Sequence, residues 1–470
     1  MRAIVFVLRG CPAGWLGGYG NEWVGTPHLD RLAAEGVVFD RHISDCPDPA
    51  AAGRAWFSGR HQTPEPNPPA PFPGKEGAAG SGEPPRSRGG LGDSGEESYL
   101  LPHLRAAGVH TVVVRANHPD TDAPASFYAG WGEVFDARPE ADDDSPLDAL
   151  ARAFPSLLDR LAEVPRWLVW VETDRLLPPW DVPQDVFEAY TEDEEEEDKY
   201  ADRAAEQPEE DESEGDDDAT SDSEAEPDAE AEPGAVDAVE VEAVIQPPDP
   251  PEPVTPFFDP PTGPFDPTDL AAWEWLHRSF AAVVTALDAE LGRLFDHLRG
   301  RGLDRTAAWV VTSDFGYPFG EHGQIGPYRP WLHEELVHLP LLVRLPAGAE
   351  GGRRVPAFTQ PADLAPTLLE LLAAAAVPDT IAGRSLLPLA RGEVETVRPF
   401  ACSGLELNGT AEWSVRTREW ALLLPAAQPD GDPPRAPRLY EKPDDRWEVN
   451  DLARQRPEVV EELEKLIRGD

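Results

Sequence analysis

Reactive side chains in this chain of 470 residues follow hydrophobic runs that have the character of buried strands. Carboxylate, imidazole, thiol and guanidinium groups brought together could bind a metal ion or an anionic ester and could transfer protons. In open α/β sheets such groups gather beyond the carboxyl ends of the strands, so these turns are where a site is expected. The turns are residues 9–11, 44–48, 172–174 and 313–316, and two later loops add 321–323 and 329–335.

The elements that must position these turns alternate regularly along the chain. Hydrophobic runs at 2–8, 37–39, 109–114, 167–171, 308–312 and 341–345 predict buried strands. Helices are predicted at 26–36, 98–107, 146–162, 268–299 and 361–376, the first with the Thr26 hydroxyl as its N-cap. Such alternation indicates an α/β fold with a mostly parallel central sheet and helices on both faces.

Composition divides the chain into a main domain at 1–395 and a smaller unit at 396–470. The smaller unit has predicted strands at 412–416 and 420–424 and a closing helix at 457–467, which indicates a C-terminal α+β subdomain. The main domain contains a Pro-, Gly- and Ser-rich loop at 63–96 and an acidic run at 191–256. We expect the acidic run to be disordered, because it cannot bury enough apolar surface to offset its ordering entropy.

The formal net charge of the chain is −49. Nucleic-acid binders and proteins of anionic membrane surfaces need clustered Lys and Arg, so this balance argues against both. Residues 191–256 contain 28 acidic residues against Lys199 and Arg203, a net charge of −26, which is more than half of the net charge of the chain. The rest of the chain has the charge of an ordinary acidic globular protein. The acidic run is interpreted as a solvated spacer, with a basic protein partner as the alternative.

The three cysteines, at positions 11, 46 and 402, form no CxxC motif and no disulfide framework. No run approaches the roughly 20 apolar residues of a membrane span. The opening hydrophobic run lacks a following cleavage site and is interpreted as a buried strand rather than a signal peptide. We therefore expect a cytoplasmic protein with no membrane association.

Several segments, taken in order, resemble the sulfatase family of the alkaline phosphatase superfamily. They are residues 14–36, 54–60, 287–294, 312–316, 320–323, 383–389 and 439–452. The resemblance covers nearly all of the chain except the two low-complexity inserts, and it implies the alkaline-phosphatase/sulfatase-like fold. It also implies hydrolysis of a sulfate ester by a formylglycine made from Cys or Ser in a C/S-x-P-x-R motif, with a divalent cation, usually calcium.

The sequence departs from the family pattern at the metal site. Where the family places aspartate ligands after the first strand, this chain has Arg9 and Gly10, and Asp314 is followed by Phe315. A calcium ion takes about 6–8 oxygen ligands, which one carboxylate beside an arginine does not supply. No metal cofactor is therefore expected. We predict that Arg9 is a substitute cation that pairs with Asp314, and the alternatives are Asp314 as a remaining metal ligand and Arg9 facing solvent.

The nucleophile is also missing from the pattern. Cys46 has neither Pro two residues later nor Arg four residues later, and the family's nucleophile position falls at Pro49 or Ala50. The neighbouring acids Asp45 and Asp48 would raise the pKa of the Cys46 thiol, so an inert cysteine is expected. Cys11, in the first turn, is also expected to be inert.

Remaining candidates for contacts with an anionic ester are few. Arg329 replaces the usual lysine of the family and Asp174 the usual histidine, and His322 with Arg329 could form a residual anion pocket. Arg54 could cradle an anion or form a surface salt bridge. The segment 333–335 is interpreted as structural packing.

The preferred interpretation is a pseudoenzyme, a sulfatase relative without metal or nucleophile that is retained for binding or regulation. One alternative is an active sulfate- or phosphate-ester hydrolase that uses Asp314, His322 and Arg329, in which case a small anionic ester is the ligand. Another is a scaffold that recruits basic partners through its acidic arm. Substrate, partner and oligomeric state are not encoded in these patterns.

Overall fold

The computed structural model describes residues 1–63, 99–117, 128–137, 145–191, 255–257, 259–327, 330–373, 381–427 and 435–468. The described residues within 1–190 and 256–470 form one compact unit. The predicted boundary at 395/396 stays a prediction. The two low-complexity inserts lie almost entirely outside the described residues.

The main sheet has nine strands, which are β1 (Arg2–Leu8), β2 (Val37–Ile43), β3 (His110–Ala116), β4 (Glu133–Asp136), β5 (Trp167–Thr173), β7 (Ala307–Thr312), β9 (His338–Leu339), β10 (Leu341–Arg344) and β11 (Arg353–Thr359). Most neighbours in it are parallel, whereas β10 runs antiparallel to both β2 and β7. The order of the strands across the sheet is β11-β2-β10-β7-β1-β5-β3-β4, with β9 paired to β2. A separate two-stranded sheet pairs β6 (Gly263–Pro264) with β8 (Gln324–Ile325).

Helices cover both faces of the main sheet. In β1 the alternate residues Ile4, Phe6 and Leu8 point into one apolar cluster, and Ala3, Val5 and Val7 point into the other. The first cluster is completed by helices at Pro27–Glu35, Pro146–Ala162 and Leu270–Gly300, and the second by helices at Pro49–Ser58, Leu100–Ala106 and Leu364–Ala373. Burial on both sides explains why this strand has a continuous apolar sequence.

The helices of the compact unit vary widely in length. They are α1 (Pro27–Glu35), α2 (Pro49–Ser58), α3 (Leu100–Ala106), α4 (Pro146–Ala162), α5 (Gln184–Glu188), α6 (Leu270–Gly300), α7 (Leu303–Thr306), α8 (Glu334–Val337), α9 (Leu364–Ala373), α10 (Leu387–Ala390) and α11 (Pro457–Arg468). Short 3₁₀ turns lie at Ala13–Trp15, Gly17–Tyr19, Pro346–Gly348 and Pro361–Asp363. None of the helices in the described part of the chain is long and apolar enough to cross a lipid bilayer.

The C-terminal residues form a four-stranded antiparallel sheet covered by a helix. Its strands, in sheet order, are β12 (Ala401–Leu407), β13 (Thr410–Arg416), β14 (Trp420–Ala427) and β15 (Arg438–Glu441). Leu463 of α11 packs with Val415, Leu422 and Leu439 from this sheet. The predicted α+β character of this region is therefore present.

Two details of the sequence analysis are corrected. Thr26 does not cap α1 with its side chain, because its hydroxyl accepts from the Gly17 N–H and donates to Asp30 Oδ1. The helix predicted at 361–376 begins as a 3₁₀ turn at Pro361–Asp363 and is α-helical over Leu364–Ala373. The sequence analysis also missed β11 and β12, which lack a continuous apolar run.

Candidate functional site

Arg9 and Asp314 meet at the carboxyl ends of neighbouring strands. β1 and β7 pair in parallel, with Val7 opposite Thr312, so the residues after each strand emerge side by side. Arg9 Nε donates to Asp314 Oδ2 across 3.1 Å. The contact expected from the sequence is formed, and the role of Arg9 as a functional substitute for a metal ion stays a prediction.

N–H donors occupy both oxygens of the Asp314 carboxylate. Besides the Arg9 contact on Oδ2, Oδ1 accepts from the backbone N–H of Gly10 at 3.1 Å and of Phe315 at 2.9 Å. Burial raises the pKa of Asp314, and the charge of Arg9 with these donors offsets only part of that effect. Burial disfavours the charged form of Arg9, but Asp314 outweighs it and the pKa of Arg9 is raised. The two shifts have opposite effects on charge: burial favours the neutral form of Asp314, and the ion pair favours the charged form of Arg9.

A calcium ion of the kind implied by the resemblance does not fit this donor set. Such an ion takes about 6–8 oxygens, whereas these positions offer one carboxylate that already accepts N–H donors and stands beside a guanidinium. Gly10 has a φ of 75°, and a Cβ there would lie 2.4 Å from Leu177 Cδ2. An aspartate at position 10 would therefore need a left-handed backbone and a displaced Leu177.

Two acids from the end of β5 border the same guanidinium. Glu172 and Asp174 both contribute to the raised pKa of Arg9. Glu172 is buried and accepts from Trp170 Nε1 at 2.9 Å. Burial raises the pKa of Glu172 to about 7. One guanidinium therefore faces three acidic side chains, counting Asp314, and this arrangement attracts cations more than anions.

The turn that the resemblance assigns to the nucleophile ends in the start of α2. Asp48 is the N-cap of this helix, and its Oδ1 accepts from the Ala51 N–H at 2.8 Å. Pro49 is the first helical residue, and Ala50 follows it and is exposed. Neither Pro49 nor Ala50 carries a nucleophilic atom in its side chain. The local sequence thus builds a well-capped helix where the family places its reactive group.

The nearest thiol in this turn is buried and protonated. Burial, with Asp45 and Asp48, raises the pKa of Cys46. The buried Asp45 accepts from the N–H of Cys46 at 3.0 Å and from the N–H of Gln62 at 2.9 Å, which fixes the loop. Burial also raises the pKa of Cys11. Both thiols have the environment of inert structural cysteines.

The two arginines proposed for anion contact differ in what the structure says of them. Arg54 is half-buried on α2, and its Nε donates to Gln62 Oε1 at 2.9 Å. Anion binding by Arg54 stays a prediction. Arg329 lies outside the described residues, so the proposed pocket of His322 with Arg329 stays a prediction as well.

His322 lies among carboxylates. Its Nδ1 lies 2.7 Å from Glu335 Oε1, and its Nε2 lies 3.2 Å from the backbone oxygen of Glu448. Burial lowers the pKa of His322, but Glu335 outweighs it and the pKa rises to about 9. Burial and Glu335 raise the pKa of the neighbouring Glu321 to about 8. A charged imidazole held by acids is a poor partner for an anionic ester.

His333 stacks on His322, with ring centroids 3.7 Å apart and an interplanar angle of 16°. His333 is fully buried, and its Nδ1 lies 2.8 Å from Glu448 Oε2. Burial lowers the pKa of His333, although Glu448 opposes this effect. His333 Nε2 has no hydrogen-bond partner among the described residues. We call His322, His333, Glu335 and Glu448 the histidine cluster.

Glu448 joins this cluster to the C-terminal sheet. Its carboxylate lies 2.9 Å from Arg416 Nη2 and 3.2 Å from Lys442 Nζ. Burial opposes the charge of Glu448, but Arg416, His333 and Lys442 outweigh it and lower the pKa of Glu448 to about 2. Its φ of 55° lies in the left-handed region, which is uncommon for a residue other than glycine.

The Asp314 loop and the histidine cluster touch at one backbone position. The Gly316 N–H donates to the Leu336 carbonyl at 2.9 Å. A Cβ built on Gly316 would lie 1.9 Å from the carbonyl oxygen of Glu335. The loop after β7 therefore passes directly against the backbone that carries Glu335.

Sequence reasoning missed the histidine cluster as a unit. It treated 333–335 as packing and assigned no role to Glu448. The sequence indicated polar candidates only at Glu321 and His322 and at residues 333–335, which are one histidine and two glutamates. The partners Arg416 and Glu448 come from distant parts of the chain, and no local spacing reveals them.

Comparisons with known proteins agree on one family. The family model for N-sulphoglucosamine sulphohydrolase, C-terminal, matches residues 320–401. An N-acetylglucosamine-6-O-sulfatase from Bacteroides thetaiotaomicron is 36% identical over 130 residues, which are 27% of this chain and 23% of that protein. Arylsulfatase K from Danio rerio is 32% identical over 199 residues, which are 40% of this chain and 36% of that protein. The matched segments thus span well under half the length of these relatives.

Solved structures share the fold over nearly the whole chain. The phosphonate monoester hydrolase of Agrobacterium radiobacter aligns with a TM-score of 0.65 at 17% identity and covers 100% of this chain and 95% of that one. A protein solved with its substrate D-glucosamine-2-N,6-O-disulfate aligns with a TM-score of 0.65 at 15% identity and covers 99% of this chain and 96% of that one. The sequence matches are to sulfatases over part of the chain, and the solved structures show that the chain shares their fold.

Proposed function

We propose that this sulfatase-family protein does not hydrolyse esters and is retained as a binding or regulatory protein. The observation that carries the proposal is the ion pair of Arg9 with Asp314, because it places a guanidinium and N–H donors where the family resemblance implies a divalent cation. A second observation supports it. The nucleophile position is occupied by Pro49 and Ala50, at the start of a capped helix.

The charge around this pair also supports the proposal. Arg9 faces Asp314, Glu172 and Asp174, and the next guanidinium, that of Arg115, lies 3.6 Å from Asp136 Oδ1. A sulfate or phosphate ester brings its own negative charge, and catalysis of its hydrolysis requires cationic groups aimed at the charge that develops. Here the cationic groups already have carboxylate partners. The arrangement therefore stabilises the fold at this edge of the sheet and not an anionic transition state.

Hydrolysis assays on the purified full chain test the proposal. The substrates are an aryl sulfate, an aryl phosphate and an aryl phosphonate monoester, the last because a phosphonate monoester hydrolase shares the fold. Each is tested alone and with added Ca²⁺ or Mn²⁺. We expect the same rate as with metal and buffer alone, and no change in Asp314→Asn.

Asp304→Asn is the matched control, since Asp304 lies in α7 at the opposite end of β7. Metal-dependent turnover that Asp314→Asn abolishes and Asp304→Asn retains would overturn the proposal and establish an active hydrolase. Turnover that survives both substitutions equally would indicate a contaminating enzyme. The assay must then be repeated on repurified protein before the proposal is accepted or rejected.

A further inference from the structure

We propose that His322, His333 and Glu335 bind one divalent first-row transition-metal ion of the Zn²⁺ class. This site is distinct from the Arg9–Asp314 pair and goes beyond the proposed function. One ligand atom from each of the three residues can be chosen so that all lie within 4.8 Å of one another. His333 is buried and the other two are partly buried, so water is largely excluded from one side of the site.

His333 has the orientation of a metal ligand. Its Nδ1 lies 2.8 Å from Glu448 Oε2, and an ionised carboxylate can only accept, so Nδ1 carries the hydrogen and Nε2 carries the lone pair. That Nε2 is buried and has no partner among the described residues. A buried acceptor without a partner is unfavourable. Metal-ligating histidines usually donate their other N–H to a carboxylate or a carbonyl, as His333 does here.

His322 is oriented by the backbone of the same glutamate. Its Nε2 lies 3.2 Å from the Glu448 carbonyl oxygen. A carbonyl can only accept, so Nε2 carries a hydrogen and the ligand atom of His322 is Nδ1. Nδ1 lies 2.7 Å from Glu335 Oε1. A bound ion would take the place of the proton between these two atoms, and that proton would pass to solvent.

Glu448 therefore orients both imidazoles, one through its side chain and one through its carbonyl. In a tetrahedral zinc site with bonds of about 2.0–2.1 Å, the ligand atoms lie about 3.4 Å apart. His322 and His333 are stacked nearly parallel, with centroids 3.7 Å apart. Because an ion binds in the plane of an imidazole, one ring must rotate out of this stack for both lone pairs to meet one ion. The His322 side chain is 13% exposed and that of His333 is fully buried, so His322 is the ring with room to rotate.

The ligand types and the surrounding charges define the class of ion. Two imidazoles and one carboxylate suit Zn²⁺ and its neighbours, whereas Ca²⁺ and Mg²⁺ prefer oxygen. Glu321 faces Glu335, and facing carboxylates favour a cation between them. The cations closest to the cluster, Arg416 and Lys442, are already paired with Glu448. Glu335 lies against His322, and Glu321 places a further carboxyl group beside the site.

Metal titration of the full chain without an affinity tag tests the proposal. Zn²⁺ binding is followed by calorimetry and Co²⁺ binding by its visible absorption, which reports nitrogen and oxygen ligands. We expect one ion per chain with this signature. His322→Gln, His333→Gln and Glu335→Gln should each weaken binding at least about 100-fold, because each leaves two protein ligands.

His110→Gln is the matched control, because His110 also lies near a carboxylate, 3.5 Å from Glu133 Oε2, but is far from the cluster in the sheet order. Its binding should equal that of the unsubstituted protein. If His333→Gln fails to fold, His322→Gln and Glu335→Gln decide the result.

The proposal is overturned if no ion binds at micromolar concentration. It is also overturned if the affinity and stoichiometry are unchanged in His322→Gln and Glu335→Gln, which would assign the ion to another site such as the acidic residues 191–256. The readout is metal binding and not hydrolysis. Its outcome is therefore independent of the loss of esterase activity proposed above.

Discussion

Two clusters of charged side chains lie near each other in this protein and are completed in different ways. Around Asp314, N–H groups from Arg9, Gly10 and Phe315 occupy both carboxylate oxygens. In the histidine cluster, every acid has a partner but the Nε2 atom of His333 has none among the described residues. We call the first cluster closed, because both oxygens of its central carboxylate accept hydrogen bonds. We call the second open, because the lone pair of His333 Nε2 is available to a ligand.

The difference shows that a family resemblance and a chemical site need not coincide in space. The resemblance directs attention to the ends of β1 and β7, where an ion pair now stands. The proposed metal ligands lie at the contact with the C-terminal sheet. There the sequence suggested an anion pocket for His322 and packing for 333–335. Charge alone does not separate the two clusters. What separates them is whether a lone pair remains unused.

The largest expected effect comes from breaking the support of the histidine cluster. Arg416→Met leaves the buried Glu448 carboxylate with Lys442 and His333 only. Loss of one partner of a buried ion pair typically costs about 3–5 kcal/mol, and Lys442 should hold the loss near 3 kcal/mol. Urea denaturation of Arg416→Met and of the unsubstituted protein measures this difference in the free energy of unfolding.

Arg468→Met is its control, because the Arg468–Glu464 pair lies on the exposed surface of α11. That substitution should change the free energy of unfolding by less than about 1 kcal/mol. An equally small loss in Arg416→Met would mean that Glu448 is not held by Arg416.

A smaller effect is expected when the closed cluster is broken. Arg9→Met should lower the free energy of unfolding by about 2 kcal/mol. The loss is limited to this size because Asp314, without its partner, becomes protonated and does not keep an unpaired buried charge. A double-mutant cycle with Asp314→Asn should give a coupling of about 1–2 kcal/mol. The exposed pair Arg456–Glu458, whose closest atoms are 3.9 Å apart, serves as the control cycle and should give a coupling close to zero. A coupling near zero for Arg9 with Asp314 would contradict the closed cluster described here.

The smallest effect depends on pH and concerns Glu172. Its pKa is about 7 in the folded protein against an ordinary value of 4.5, so the folded state holds a proton that the unfolded state releases in this range. Stability should fall as pH rises from about 4.5 to about 7. Glu172→Gln removes this pH-dependent loss of stability. The free energy of unfolding of Glu172→Gln relative to that of the unsubstituted protein should therefore increase by about 2 kcal/mol between pH 5 and pH 8.

Unfolding experiments at the two pH values measure this difference. The exposed Glu163→Gln is the control, and its stability relative to the unsubstituted protein should be the same at both pH values. An advantage of Glu172→Gln that does not vary with pH would show that Glu172 is not the source of the effect.

Much of the main sheet could be predicted because burial on both faces gives β1, β5 and β7 continuous apolar sequences. The contact of Arg9 with Asp314 was predictable for the same reason, since both residues directly follow such strands. The direction of β10 was not, because an apolar run has the same composition in either orientation. β11 was missed because Arg353 and Arg354 at its exposed start and the following Pro356 interrupt the apolar pattern.

The histidine cluster could not be assembled from the sequence. Glu448 is 115 residues from His333 and forms the cluster through a left-handed backbone that no spacing encodes. Its carbonyl and its carboxylate serve two different imidazoles, and only tertiary structure brings them together. Local patterns identified His322 and 333–335, but they gave no reason to join them.

The close approach of Gly316 to Glu335 limits how such a protein can change over generations. Any side chain at position 316 would collide with the carbonyl oxygen of Glu335 and would displace both loops at once. Sequence drift can thus exchange the groups around Asp314 while the backbone beneath them keeps its course. The same contact fixes the backbone of Glu335, so the histidine cluster depends on a glycine that belongs to neither cluster.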